Sequence, residues 1–231
     1  MKITWFGHSG FRIEAGGEVL LIDPWLTGNP MFPPARRSEA IAGATRVLLT
    51  HGHNDHLGDA VPIARELGIP VVGKYDLVSH LERRDGVKAV GFNTGGTLAL
   101  GGLRVTMVRA AHSSSMPGPD GAPVYAGSEA GYMIEHAGRT VYVSGDTDVM
   151  ADMGVFAELH RPEIGILCAG GHFTMDMARA AWAARRFFNF RTVIPCHYRT
   201  FPLLAQSAEV MRAALPGVNV IEPEVMVRIT P

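Results

Sequence analysis

Between Arg46 and Asp59 the chain reads RVLLTHGHNDHLGD, so that an apolar run gives way to His51, His53, Asp55 and His56 within six positions. Neutral imidazole and carboxylate are the donors that zinc and similar borderline divalent ions take in hydrolytic sites. The spacing suits a loop running into a helical turn rather than a continuous helix or strand. Four donors exceed what one open catalytic ion takes from a single segment, so two ions are expected. A lone histidine is usually solvated or hydrogen-bonded, but a cluster of imidazoles and carboxylates behind an apolar strand is costly to bury without a cation.

Such a site needs donors from elsewhere, and three strand-like runs end in them. His112 ends LRVTMVRAAH, Asp146 ends TVYVSGD and His197 ends TVIPCH, and loops that leave strands are where functional side chains collect. Asp23, at the end of EVLLID, is expected to brace the His51 loop through hydrogen bonds rather than hold metal, with Thr50 and Asp176 in similar supporting roles. His8 and His172 each follow a strand and precede a loop, which makes them secondary catalytic candidates beside Asp55, a possible orienter of the nucleophile. Tyr198 and Arg199 could meet an anionic or carbonyl group. His80, His136 and His160 fall in ordinary helix or turn contexts and read as surface residues.

The elements that must position these groups follow an α/β rhythm. Strands are expected at KITWFGH, FRIEAGG, EVLLIDP, TRVLLTH, IPVVGK, TLALGG, LRVTMVRAAH, GYMIEHAG, RTVYVSGD, EIGILC, TVIPC and VMVRI. Helices are expected over 60–67, capped by Asp59 and ended by Gly68, and over 76–84, 150–159, 175–188 and 205–215. The segment Ser113 to Gly131 is too rich in Gly, Pro and Ser for regular structure and reads as a loop covering the site. Gly52 is expected to let the His51 loop turn tightly. A weak internal echo, strand-acid, strand-loop-His, helix, strand, occurs in both halves. It predicts two mixed sheets face to face with helices outside, a four-layer α/β/β/α sandwich formed by one domain over residues 1–231.

The totals narrow the function classes. The chain has 231 residues and is 47% hydrophobic, ample for a sizeable core, and Lys+Arg 21 against Asp+Glu 22 leaves a net charge of −1. No global field recruits nucleic acid or an anionic membrane, so a small-molecule substrate is expected. The start lacks a secretory pattern and no apolar run reaches the length of a membrane span, which points to the cytoplasm. Cys168 and Cys196 read as buried free thiols. A homo-oligomer is left open, since no residue pattern fixes an interface.

The motif His51-Gly-His53-Asn-Asp55-His56, with His112, Asp146 and His197 downstream in that order, resembles the metallo-β-lactamase superfamily over nearly the whole chain. The resemblance implies that His51, His53 and His112 hold one metal, that Asp55, His56 and His197 hold the second, and that Asp146 bridges them. It also implies a hydrolase in which a metal-bound water, its pKa lowered to about 7, supplies hydroxide at neutral pH. Zinc is the first expectation for the two divalent ions, with manganese or iron(II) compatible with the same donors. True β-lactamases of the superfamily commonly lack the aspartate found here at 146, and flavodiiron relatives usually carry glutamate where His53 stands. TWFGHSGFRIE, LLIDPW, GGHFTMD and PCHY further resemble small bacterial metal-dependent hydrolases related to L-ascorbate-6-phosphate lactonase and, more distantly, to N-acyl-phosphatidylethanolamine phospholipase D. That branch implies cleavage of an ester, lactone or phosphodiester. The alternatives are a nuclease of the same fold and a non-catalytic metal-binding module.

Overall fold

The structure, a computed structural model, describes residues 1–118 and 120–231. The strands are β1 (Lys2–Gly7), β2 (Gly10–Ala15), β3 (Glu18–Ile22), β4 (Arg46–Leu49), β5 (Val71–Lys74), β6 (Ala89–Phe92), β7 (Thr97–Leu100), β8 (Leu103–Arg109), β9 (Ser115–Pro117), β10 (Pro123–Tyr125), β11 (Ala130–His136), β12 (Arg139–Val143), β13 (Ile164–Cys168), β14 (Thr192–Cys196), β15 (Asn219–Val220) and β16 (Arg228–Ile229). The helices are α1 (Arg37–Ile41), α2 (Asn54–Leu57), α3 (Ala60–Leu67), α4 (Tyr75–Asp85), α5 (Asp152–His160), α6 (Met177–Phe187) and α7 (Glu209–Ala214).

Two mixed sheets of seven strands carry the fold, ordered β16-β1-β2-β3-β4-β5-β6 and β15-β14-β13-β12-β11-β8-β7. Each repeats one plan: antiparallel strands at one side (β1-β2-β3; β7-β8-β11-β12) pass into parallel strands at the other (β3 to β6; β12 to β15). This is the internal echo of the sequence written as topology, and it bears out the expected sandwich.

Side-chain alternation separates the layers. From the first sheet Ile3, Trp5, Leu20, Ile22 and Leu48 join Val105, Tyr132, Ile134, Val141 and Ile166 of the second in one large core, which continues onto α6. The intervening Phe6, Leu21, Val47 and Leu49 face a second core beneath α1, α3 and α4. Strand β4 is buried on both faces, as a parallel strand covered on each side must be.

Helix α3 has the expected bounds, and Gly68 closes it in the left-handed conformation at φ 66°. Asp59 makes no side-chain cap there. It instead accepts hydrogen bonds from the Leu26 and Thr27 amides, both at 2.7 Å, and from the Thr27 hydroxyl at 2.6 Å. The expected unstructured segment over 113–131 contains the hairpin β9–β10, closed by Gly118 N to the Ala122 carbonyl at 2.8 Å; Pro119 within it lies outside the described residues. Strands β6 and β15 and helix α1 were not expected, while α7 and the closing strand are shorter than the pattern suggested.

Candidate metal centre

The donors stand where strands end at one edge of the sandwich. His8 lies between β1 and β2, His51 follows β4, Asp55 and His56 lie in α2, and His112, Asp146 and His197 follow β8, β12 and β14. His8 (φ 55°), Asp23 (φ 45°) and His197 (φ 55°) adopt left-handed backbone. That region is uncommon for residues with a Cβ, and such strain concentrates at functional sites.

Main-chain bonds join the two sheets beside these donors. The His197 amide donates to the His8 carbonyl at 2.9 Å, and the Ala130 amide to the Thr50 carbonyl at 3.0 Å. The Tyr132 hydroxyl donates to the Leu49 carbonyl. Gly170 packs so closely on the His197 carbonyl that a Cβ would overlap it. Gly52 has no left-handed backbone to require glycine; a Cβ there would meet Ala126 Cβ at 2.7 Å and the Ser115 carbonyl at 3.0 Å. Its role is to admit the hairpin strap against the His51 loop, a correction to the tight-turn expectation.

Asp23 orders the interior of the site. It accepts from Thr50 N (2.8 Å), Thr50 Oγ1 (2.6 Å) and His56 Nδ1 (2.8 Å). With its one hydrogen given to Asp23, the Thr50 hydroxyl can only accept from His51 Nδ1, 3.0 Å away. Both histidines are thereby set with Nδ1 protonated and the Nε2 lone pair directed inward, the arrangement a metal-ligating imidazole requires.

Among the described residues the donor atoms fall into three overlapping groups, each within 4.8 Å: His51, His53 and His112; His8, Asp55, His56 and His197; and His51, His56 and Asp146. The first two bring together the residues expected to hold one ion each, with His8 added to the second. Asp146 lies between them, its Oδ2 at 3.1 Å from His197 Nε2, 3.3 Å from His56 Nε2 and 3.7 Å from His112 Nε2. His51 Nε2 lies 3.0 Å from His53 Nδ1. His56 Nε2 and Asp146 Oδ1 are buried and have no hydrogen-bond partner among the described residues.

The electrostatics ask for cations at this point. Burial pulls His51, His53 and His112 below the ordinary imidazole value. Burial acts the same way on His56 and His197, yet neighbouring carboxylates overcome it: Asp146 and Asp23 carry His56 well up, and Asp146 carries His197 to about 9. Asp146 in turn is held well below the carboxylate range, against its own burial, by His197 and His56. Lone pairs and carboxylates this close are compatible only with positive charge between them, from protons or from metal ions, and the donor set fits divalent ions.

His8 is buried, and burial lowers it to about 4. Its Nε2 lies 2.9 Å from Asp55 Oδ2 and its Nδ1 2.8 Å from Thr200 Oγ1. Asp55 is the exposed member of its group, with a side chain 33% accessible against 2% or less for His8, His56 and His197. His172 joins none of the three groups. It is exposed and borders a neighbouring cavity of about 410 Å³ with Thr147, Phe173 and Arg179.

Tyr198 is buried and stacks on Trp5 at 5.7 Å, so it belongs to the core rather than to a substrate surface. Arg199 is exposed and lies over the Tyr198 ring. Asp176 caps α6 by accepting from Arg179 N at 2.7 Å. His80, His136 and His160 join none of the three groups and are partly exposed. Thr200, bonded to His8, and Trp25, edge-on to the His8 ring, also border the site, through contacts distant in sequence that leave no local pattern. Both cysteines are free and buried.

The family described as the Beta-lactamase superfamily domain matches residues 19–198. A UPF0173 metal-dependent hydrolase of Cereibacter sphaeroides (strain ATCC 17025) is 70% identical over 230 residues, covering 100% of both chains. One from Paracoccus denitrificans is 68% identical over 226 residues, covering 98% of each. Among solved structures, Igni18, described as a novel metallo hydrolase from the archaeon Ignicoccus hospitalis, shares 33% identity with a TM-score of 0.83, covering 99% of this chain and 98% of that one. This chain belongs to the metallo-β-lactamase superfamily, as one of its metal-dependent hydrolases.

Proposed function

We propose that this hydrolase cleaves an ester, lactone or phosphodiester bond of a small molecule at a centre of two divalent ions. His51, His53 and His112 would hold one ion, Asp55, His56 and His197 the other, and Asp146 both. The observation that carries this reading is the position of Asp146, whose one oxygen lies within 3.1–3.7 Å of imidazoles from both groups. Zinc is the first candidate, with manganese or iron(II) admitted by the same donors. When bound, such ions supply Lewis acidity toward a substrate oxygen and acidify a water toward neutral pH.

The chain's own residues supply orientation. Asp23 and Thr50 hold His51 and His56 in the required tautomer. Asp55, the accessible carboxylate, orients the attacking water. A neutral His8 that donates Nε2–H to Asp55 must accept at Nδ1, and the Thr200 hydroxyl is the donor in place. His8 is thus a positioning residue for Asp55, and exposed His172 meets substrate at the edge of the site. Residues 1–231 would work as one domain in the cytoplasm, without nucleic acid or membrane as partner.

Metal analysis of protein purified without added chelator or metal, followed by assays on lactones, phosphodiesters, thioesters and cephalosporins, tests this reading. The resemblance to L-ascorbate-6-phosphate lactonase places lactones first. The expected result is uptake of two ions and turnover of at least one class. Uptake of less than about one ion after reconstitution, or Asp146→Ala turning over at the wild-type rate, overturns it.

A further inference from the structure

Three aromatic side chains near the donors belong to neither hydrophobic core. The Trp25 and Phe201 rings stand edge-on to the buried His8 ring, at 5.3 and 5.8 Å between centroids, and 6.2 Å from each other. The Phe173 ring lies 6.5 Å from that of His197, again edge-on. His8 and His197 are themselves 4.0 Å apart, so the three rings border one imidazole pair. Trp25 and Phe201 are half-buried, Phe173 is 52% exposed and the nearby Leu203 is 54% exposed.

This rim is built rather than loosely draped. Gly58 lies so close to Trp25 that a Cβ would come within 3.0 Å of the indole Cδ1. Asp59 clamps the backbone of the two residues after Trp25. The Phe201 carbonyl accepts from the Leu204 amide at 3.0 Å and from the Gln206 side chain at 2.9 Å. Arginines bordering the flanking cavities are already engaged by carboxylates: Arg179 by Asp148, Arg37 by Glu66 and Arg84 by Asp85. Half-exposed aromatic surface held rigidly beside a few convergent polar groups is the composition of a small-molecule site.

We propose that Trp25, Phe201 and Phe173 form the specificity element of the site and select substrates with a flat apolar group, a phenyl or similar hydrocarbon, beside the bond to be cleaved. The apolar group lies against the rings while the polar bond reaches the histidine and aspartate donors. The proposal rests on the reading of those donors as the reaction centre.

Isothermal titration calorimetry of the metal-loaded protein with phenylacetate and with acetate tests it, because the two probes share the carboxylate and differ only in the ring. Phenylacetate is expected to bind about tenfold more tightly, for a ring half removed from water. Trp25→Ala and Phe201→Ala, each checked for unchanged thermal unfolding, are expected to reduce that ratio to about threefold or less, while Trp25→Phe retains it. A ratio near one in the unmodified protein, or a full ratio in both alanine variants, overturns the proposal. Matched phenyl and methyl esters are assayed in parallel to separate the two readings. A retained binding ratio with no turnover of any substrate supports the rim and counts against the proposed ester, lactone or phosphodiester cleavage alone, whereas turnover with equal kcat/KM for each pair counts against the rim alone.

Discussion

Asp23→Asn changes one atom at the point where the site's hydrogen bonds meet. The carboxylate accepts three bonds, from the Thr50 amide, the Thr50 hydroxyl and His56 Nδ1. An asparagine must keep its oxygen toward the Thr50 amide, which can only donate. Its NH2 then faces Thr50 Oγ1 and His56 Nδ1, separated from the carboxylate by 2.6 and 2.8 Å in the present structure. Both must turn from donors into acceptors, and His56 can do so only by moving its proton to Nε2, the atom that faces Asp146. The released Thr50 hydroxyl no longer has to accept from His51. The cost in stability is about 2–4 kcal/mol, because buried charge-assisted bonds contribute about 1.5–3 kcal/mol each and part is recovered by the new pairing. The larger effect falls on the metal. Removing a partner that orients a ligating imidazole typically costs about 10- to 100-fold in affinity, and the His56 half-site should bear it. Competition against a chromophoric chelator measures the two affinities, and urea unfolding measures the stability. If Asp23→Asn retains both affinities at wild-type values while folded, the tautomer argument is refuted.

Thr200→Val leaves His8 Nδ1 without its partner and should lower kcat more than it alters KM, with a stability loss of about 1–2 kcal/mol; Thr200→Ser should restore both, which steady-state kinetics and thermal unfolding will show. Gly170→Ala drives a methyl group into the His197 carbonyl and should abolish soluble expression, a result read directly from the soluble fraction. Burial pushes the Cys168 thiol up to about 12, so a thiol reagent at pH 8 should label it only after denaturant is added. The sign follows from linkage: the unfolded chain ionises this thiol near its ordinary value of about 9, so its contribution to stability is whole below that pH and is lost as pH rises from there toward about 12, as urea titrations across the range will report.

The legible parts of the site were those written in short range. His51, His53, Asp55 and His56 sit in one loop, and His112, Asp146 and His197 each end an apolar strand, so chemistry and position could be read together. The sandwich was legible because both halves carry the same order of elements. Long-range partners were not. Asp59 has the residue type and position of a helix cap, but the Leu26 and Thr27 amides compete for its carboxylate. Gly52 has the look of a turn residue, while its actual constraint is contact with Ser115 and Ala126. The hairpin was masked by Gly and Pro, which here occupy its turn and strand ends. The AVGF strand is short and only half-buried, giving little periodicity to detect. His8 could be named as a candidate, but nothing in TWFGHSG announces Thr200 as its partner 192 residues away.

The hydrogen bonds from His197 to His8 and from Ala130 to Thr50 rivet one layer of the sandwich to the other on either side of the donors. The layers therefore cannot shear or open like a clam shell without breaking main-chain bonds next to the reacting groups. A floor fixed in this way has little freedom to change, and the fit to a substrate's shape is set outside the rivets, by the residues of the β9–β10 hairpin beside His53 and of the clamped stretch that carries Trp25. Changes of substrate range should therefore arise by substitution in those two segments, with the strand ends left as they are.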